Sequence, residues 1–103
     1  MRYETTPQFD ADWSDLAREH KKLFRKAIPA FSRACEGYLA RPGSFRWPAR
    51  LRVSPMRSAP GIWEMTWSFA GPDGRATFEF VTVEGAMYVR WRRIGDHGGY
   101  REP

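Results

Sequence analysis

Two hydrophobic periods divide the chain. From Leu23 to Leu39, apolar residues recur every three or four positions: Leu23/Phe24, Ala27/Ile28, Phe31, Ala34/Cys35 and Tyr38/Leu39. Lys22, Arg25, Lys26, Ser32, Arg33 and Glu36 fill the opposite face. This spacing predicts an amphipathic helix of about 18 residues, stopped by Arg41-Pro42-Gly43. Pro29 lies inside it and removes a backbone donor, so a kink is expected. Ahead of it, Phe9, Trp13 and Leu16 have helical spacing. Asp10 is the expected N-cap, Asp12 and Asp15 complement the dipole, and His20-Lys21-Lys22 suits the C-terminal end. Arg2 to Thr6 reads as a short strand closed by Pro7.

After Gly61 the period becomes two. Trp63, Met65, Trp67 and Phe69 alternate with polar positions and share one strand face. Gly71-Pro72-Asp73-Gly74 is a turn. Arg75 to Val83 is a second strand, Glu84-Gly85 turns the chain, and Ala86 to Ile94 is a third, with Met87, Val89 and Trp91 facing one way. Between helix and strands lies a Pro-rich loop, residues 43–60, in which Leu51-Arg52-Val53 reads as a short strand. Gly95 to Tyr100 reads as a tail. The predicted class is α+β: an N-terminal strand, a two-helix hairpin, then an antiparallel meander of three to four strands, with both helices on one sheet face. Phe31 and Cys35 are expected to face the sheet beside Trp63, Met65 or Trp67.

The length of 103 residues makes residues 1–103 a single domain. Hydrophobic residues at 42% and aromatics at 16% are enough for a packed core. No apolar run has the length of a membrane span and no signal-type stretch opens the chain, so a cytoplasmic protein is expected. Cys35 is the single cysteine, which excludes disulfide scaffolds and cysteine-based zinc sites. It falls on the apolar helix face and reads as core rather than nucleophile. His20 and His97 lie on different elements and no carboxylate cluster has ligand spacing, so no metal or other cofactor is expected. His20 reads as a cap or a core-edge residue.

Charge changes the picture most. Lys+Arg 17 against Asp+Glu 12 leaves a net +5, which favours an anionic partner, nucleic acid first. The excess is concentrated: Arg41, Arg46, Arg50, Arg52 and Arg57 occupy a stretch with no acid, and Arg90, Arg92 and Arg93 form a second cluster. Trp47, Trp63, Trp67 and Trp91 are interleaved with them. Arginine forks onto phosphate and stacks on bases, so this composition suits single-stranded nucleic acid. The competing interpretation is a solvated arginine face over tryptophans that belong to the core. RNA carries its own nucleophile, the 2′-hydroxyl. A small basic protein without metal can cleave RNA by aligning that oxygen, neutralising the phosphorane with Arg, and moving protons with His or Tyr. His97, beside Arg92 and Arg93, is the candidate proton carrier.

Three segments carry a family resemblance: Gly61-Ile62-Trp63-Glu64-Met65-Thr66-Trp67, Gly74-Arg75-Ala76-Thr77-Phe78-Glu79-Phe80, and Trp91-Arg92-Arg93-Ile94-Gly95-Asp96-His97 with Tyr100. Together they resemble the RelE/ParE superfamily, in particular RelE-like toxins of bacterial type II toxin–antitoxin modules. The most specific piece, Arg93-x-Gly95-x-His97, is similar to the closing motif of the YafQ-type branch. The resemblance implies an mRNA endoribonuclease acting in the ribosomal A site. It would leave a 2′,3′-cyclic phosphate and a 5′-hydroxyl, and would be masked by a cognate protein antitoxin in a hetero-oligomer on operator DNA. It assigns phosphate stabilisation to Arg75, closing-motif roles to Arg93 and His97 (the general acid or acid/base), and substrate orientation to Tyr100. Arg50, Arg52, Arg57 and Arg92 would meet RNA. The chain departs from the pattern in lacking a second His or Lys as general base, which leaves Glu64 or Glu79, and in placing Gly98-Gly99 before the aromatic. The alternatives are a non-enzymatic ParE-type toxin that inhibits a topoisomerase, and an inactive RelE-like protein that only binds its antitoxin.

Overall fold

The computed structural model describes residues 1–67, 74–95 and 102–103. Its elements run β1 (Arg2–Thr5), α1 (Pro7–Asp15), α2 (Arg18–Ala40), a 3₁₀ turn at Ala49–Leu51, β2 (Ser54–Pro55), β3 (Trp63–Thr66), β4 (Arg75–Val83) and β5 (Ala86–Gly95). The class is α+β. The five strands form one sheet in the order β1-β5-β4-β3-β2. β2 to β5 pair antiparallel in sequence, as a meander should. β1 instead runs parallel to β5, so the sheet is mixed. The long connection from β1 to β5, which runs through both helices and the three intervening strands, makes this parallel pairing possible.

The helix boundaries differ from those expected. Thr6, not Asp10, caps α1: its Oγ1 accepts from the Phe9 N–H at 3.1 Å. Pro7 does not close β1 so much as open α1, since a proline in the first turn surrenders no helical hydrogen bond. The chain turns extended at Leu16 and Ala17, and α2 begins at Arg18. His20-Lys21-Lys22 therefore lies in the first turns of α2, not at the end of α1. α2 is 23 residues long and continues through Pro29. Leu51-Arg52-Val53 is not a strand: Leu51 ends the 3₁₀ turn and Arg52 takes a left-handed conformation at φ 46°. That conformation ends the local pairing before β2 begins.

Both helices cover the same sheet face. Phe31 is fully buried, with its ring 4.9 Å from those of Phe78 and Trp91. Of Trp63, Met65 and Trp67, any one of which is expected near Phe31 and Cys35, Met65 is fully buried in the same core, while Trp63 packs on Tyr38 of α2 at 5.1 Å and Trp67 on Phe24 at 5.9 Å. Phe69 lies outside the described residues. His20 stands edge-on to Trp67 at the margin of this core, at 5.4 Å. Trp67 also fixes Gly74, where any Cβ would overlap the indole. Burial pushes the Cys35 thiol up to about 12, so it is packing, not a nucleophile. Met87, near the hairpin end of β5, is 44% exposed, whereas Val89 and Trp91 are buried. No helix among the described residues is long and apolar enough to cross a membrane.

One irregularity sets up the rest. Thr77 pairs with Arg93, but the next residue, Phe78, pairs with Trp91, so Arg92 is an extra residue in β5. Strict alternation from Val89 and Trp91 would have turned Arg93 inward. The bulge reverses the phase, burying Ile94 and turning Arg93 out.

Candidate functional site

The sheet face opposite the helices carries the polar residues of β3, β4 and β5. Register fixes their rows. Glu64, Thr77 and Arg93 lie across from one another; Thr66, Arg75 and Gly95 form the next row. Beyond the bulge, Glu79 pairs with Arg90, which lies beside Glu4 of β1. The bulge adds Arg92 to the same face. A sequence that scatters these residues between positions 4 and 93 thus gathers Arg75, Arg90, Arg92 and Arg93 with Glu4, Glu64 and Glu79.

Most of the arginines are already engaged. Arg93 forms a two-pronged pair with Asp12 of α1: Nε donates to Oδ2 at 2.7 Å and Nη2 to Oδ1 at 3.0 Å. Asp12 Oδ2 also accepts the Ile94 N–H at 3.1 Å. This carboxylate therefore ties α1 to the end of β5, beyond the dipole role its position suggested. Arg92 Nη1 donates to Glu79 at 2.7 Å, and Arg90 Nε donates to Glu4 at 2.6 Å. Arg75 is exposed and meets no carboxylate among the described residues.

Residues 102–103 also lie on this face. Arg92 Nε and Thr77 Oγ1 donate to one main-chain oxygen of Pro103, at 2.9 and 3.1 Å. Arg93 Nη1 donates to the neighbouring Glu102 carbonyl at 3.3 Å. A cleft of about 180 Å³ opens here between Thr6, Gln8, Arg92, Arg93, Glu102 and Pro103. Three donors thus converge on two successive acceptor oxygens, an arrangement that also suits the oxygens of a phosphate or carboxylate.

Of the residues singled out from sequence, Arg75, Arg92 and Arg93 come together, with Glu64 in the row of Arg93 and Glu79 beyond the bulge. His97 and Tyr100 lie outside the described residues. Arg50 lines a cavity against α2, on the helix side of the molecule, so it does not join the sheet face. Arg52 and Arg57 are exposed near β2, at the far edge of the sheet from β1. Sequence reasoning missed Asp12, Glu4 and Thr77. Asp12 had a local explanation that masked its long-range pairing, and Glu4 and Thr77 signal their places only once the strand register is known. Comparison with protein-family models, curated proteins and solved structures finds no match to this chain.

Proposed function

We propose that this chain is a metal-independent endoribonuclease, the RelE-like toxin of a type II toxin–antitoxin module, acting on mRNA in the ribosomal A site. The observation that carries this reading is the convergence of Arg92, Arg93 and Thr77 on two acceptor oxygens, with Arg75 exposed on the same face. The order of strand, two helices and meander is in keeping with it. In the proposed reaction the 2′-hydroxyl attacks the adjacent phosphorus. The bond to the 5′-oxygen breaks, giving a 2′,3′-cyclic phosphate and a 5′-hydroxyl. Glu64 or Glu79 takes the proton from the 2′-hydroxyl, Arg75 stabilises the phosphorane charge, and His97 protonates the departing 5′-oxygen. Arg93 helps to hold the phosphate, Tyr100 orients the substrate, and Arg92, Arg52 and Arg57 contact the RNA backbone. The partner that masks this face is a cognate protein antitoxin, and the complex of the two binds operator DNA.

A second reading has its own support. Arg90, Arg92 and Arg93 face Glu4, Glu79 and Asp12, so this part of the face is close to neutral and its arginines are committed. That favours a protein that binds without cutting: a ParE-type toxin acting on a topoisomerase, or an inactive antitoxin-binding relative. Inducible expression followed by mapping of mRNA 5′ ends, on and off the ribosome, separates the two. Growth arrest with new 5′-hydroxyl ends, both lost in His97→Ala, supports the nuclease. Arrest without new ends supports a ParE-type toxin, and normal growth at high expression contradicts a toxin of either kind and fits only the inactive relative.

A further inference from the structure

On the helix side, away from the sheet face, α2 and the 3₁₀ turn enclose a cavity of about 420 Å³. Its floor is apolar: Leu23, Ala27 and Ala30 follow one another along α2, and Leu51 closes the far wall. The two alanines make the trough, since they leave the helix surface low between larger neighbours. Its rim is cationic. Lys26 and Arg33, two turns apart on α2, stand on one side and Arg50 stands on the other. No carboxylate meets any of the three among the described residues.

We infer that this groove docks an amphipathic helical segment of another protein, with an apolar stripe flanked by acids. The floor takes the stripe, because apolar side chains at i, i+3, i+4 and i+7 match a helical trough. The rim takes the acids: carboxylates on the two flanks of that stripe face Lys26 and Arg33 on one side and Arg50 on the other. Nucleic acid is the poorer fit, because its backbone brings charge but nothing apolar to cover Leu23, Ala27 and Leu51. A neutral apolar segment is poorer too, because it would place three cations beside its own flanks without compensation. The inference does not depend on the nuclease reading and concerns the opposite face.

The test is fluorescence anisotropy with a labelled synthetic Leu/Glu peptide carrying leucines at that helical spacing. Controls are the same composition scrambled, a Leu/Lys analogue, and a single-stranded RNA oligonucleotide. The Leu/Glu peptide should bind in the micromolar range, weaken with added salt, and lose at least about 10-fold in affinity to Lys26→Glu/Arg33→Glu. Ala30→Leu, which fills the trough without touching its charge, should weaken binding as well. Both variants should keep the far-ultraviolet spectrum and melting temperature of the parent. No binding of the Leu/Glu peptide, equal binding of the scrambled or Leu/Lys peptide, or binding indifferent to both variants would overturn the inference. So would RNA binding that is lost in the same variants while peptide binding persists.

Discussion

Two arginine-rich regions look alike in sequence and differ in the folded chain. Arg90, Arg92 and Arg93 each face a carboxylate brought from another element: Glu4 from β1, Glu79 from β4 and Asp12 from α1. Arg41, Arg46, Arg50 and Arg57 lie exposed, in a stretch whose sequence holds no acid, and no carboxylate meets them among the described residues. The first cluster is half structural: it joins β1, α1 and β4 to β5. Arg41, Arg46, Arg50 and Arg57 leave their charge to solvent or to a partner. Arginine density alone therefore does not locate an anion-binding surface; the count must be taken after folding has matched each arginine with its acids. Arg75 lies on the same face as the first cluster, exposed and without a carboxylate partner among the described residues.

The contrast can be attacked at several strengths. Both regions are carried by one aromatic core, and Phe31→Ala should cost about 3–5 kcal/mol in a denaturant titration, with both surfaces lost together. Next comes Asp12→Ala. Arg93 and Asp12 are only 24% and 15% exposed, and the change would also leave the Ile94 N–H without its acceptor. The expected loss is about 2–3 kcal/mol. Arg93→Lys should not preserve stability, because an ammonium cannot reproduce the two-pronged contact. A smaller effect is expected for Glu79→Gln: its partner Arg92 is 37% exposed, so about 1 kcal/mol or less is at stake. Arg46→Ala and Arg57→Ala should change stability by less than about 0.5 kcal/mol. If they cost as much as Asp12→Ala, the supposed difference between the regions is wrong. At neutral pH the Cys35 thiol adds no pH dependence. Its folded value is raised by burial to about 12 from an ordinary 9, so the folded state holds that proton longer than the unfolded one. Stability should be flat in this respect below pH 9 and fall as pH rises from 9 towards 12, and Cys35→Ala should flatten that fall.

Much of this fold is legible in the sequence, because its signals are local. The period of α2, the Glu84-Gly85 turn and the limits of β4 follow from patterning and turn chemistry, and the helices share the sheet face that their apolar stripes require. What is not legible depends on distant partners. The break at Leu16-Ala17 carries neither proline nor glycine, so two helices read as differently divided. The parallel pairing of β1 requires knowing where the crossover returns. The bulge at Arg92 is the most consequential case, since a single extra residue moves Arg93 from the buried to the open face. Asp12 itself has a sufficient local role in the first turns of a helix, which conceals its service to β5. The site arginines were thus identifiable as a group, while their division into paired and unpaired was not.

The most direct test of the proposed chemistry is the single-turnover rate at which Arg75→Ala cleaves mRNA bound in the ribosomal A site, measured against the parent chain. Arg75 is exposed at the start of β4 and makes no carboxylate pair among the described residues, so the variant should keep the parent's melting temperature. Loss of a positioned charge-stabilising donor should slow cleavage by about 10²–10³-fold. A folded Arg75→Ala that cuts at the parental rate would contradict the account, because the exposed arginine of the open face would then have no part in the reaction.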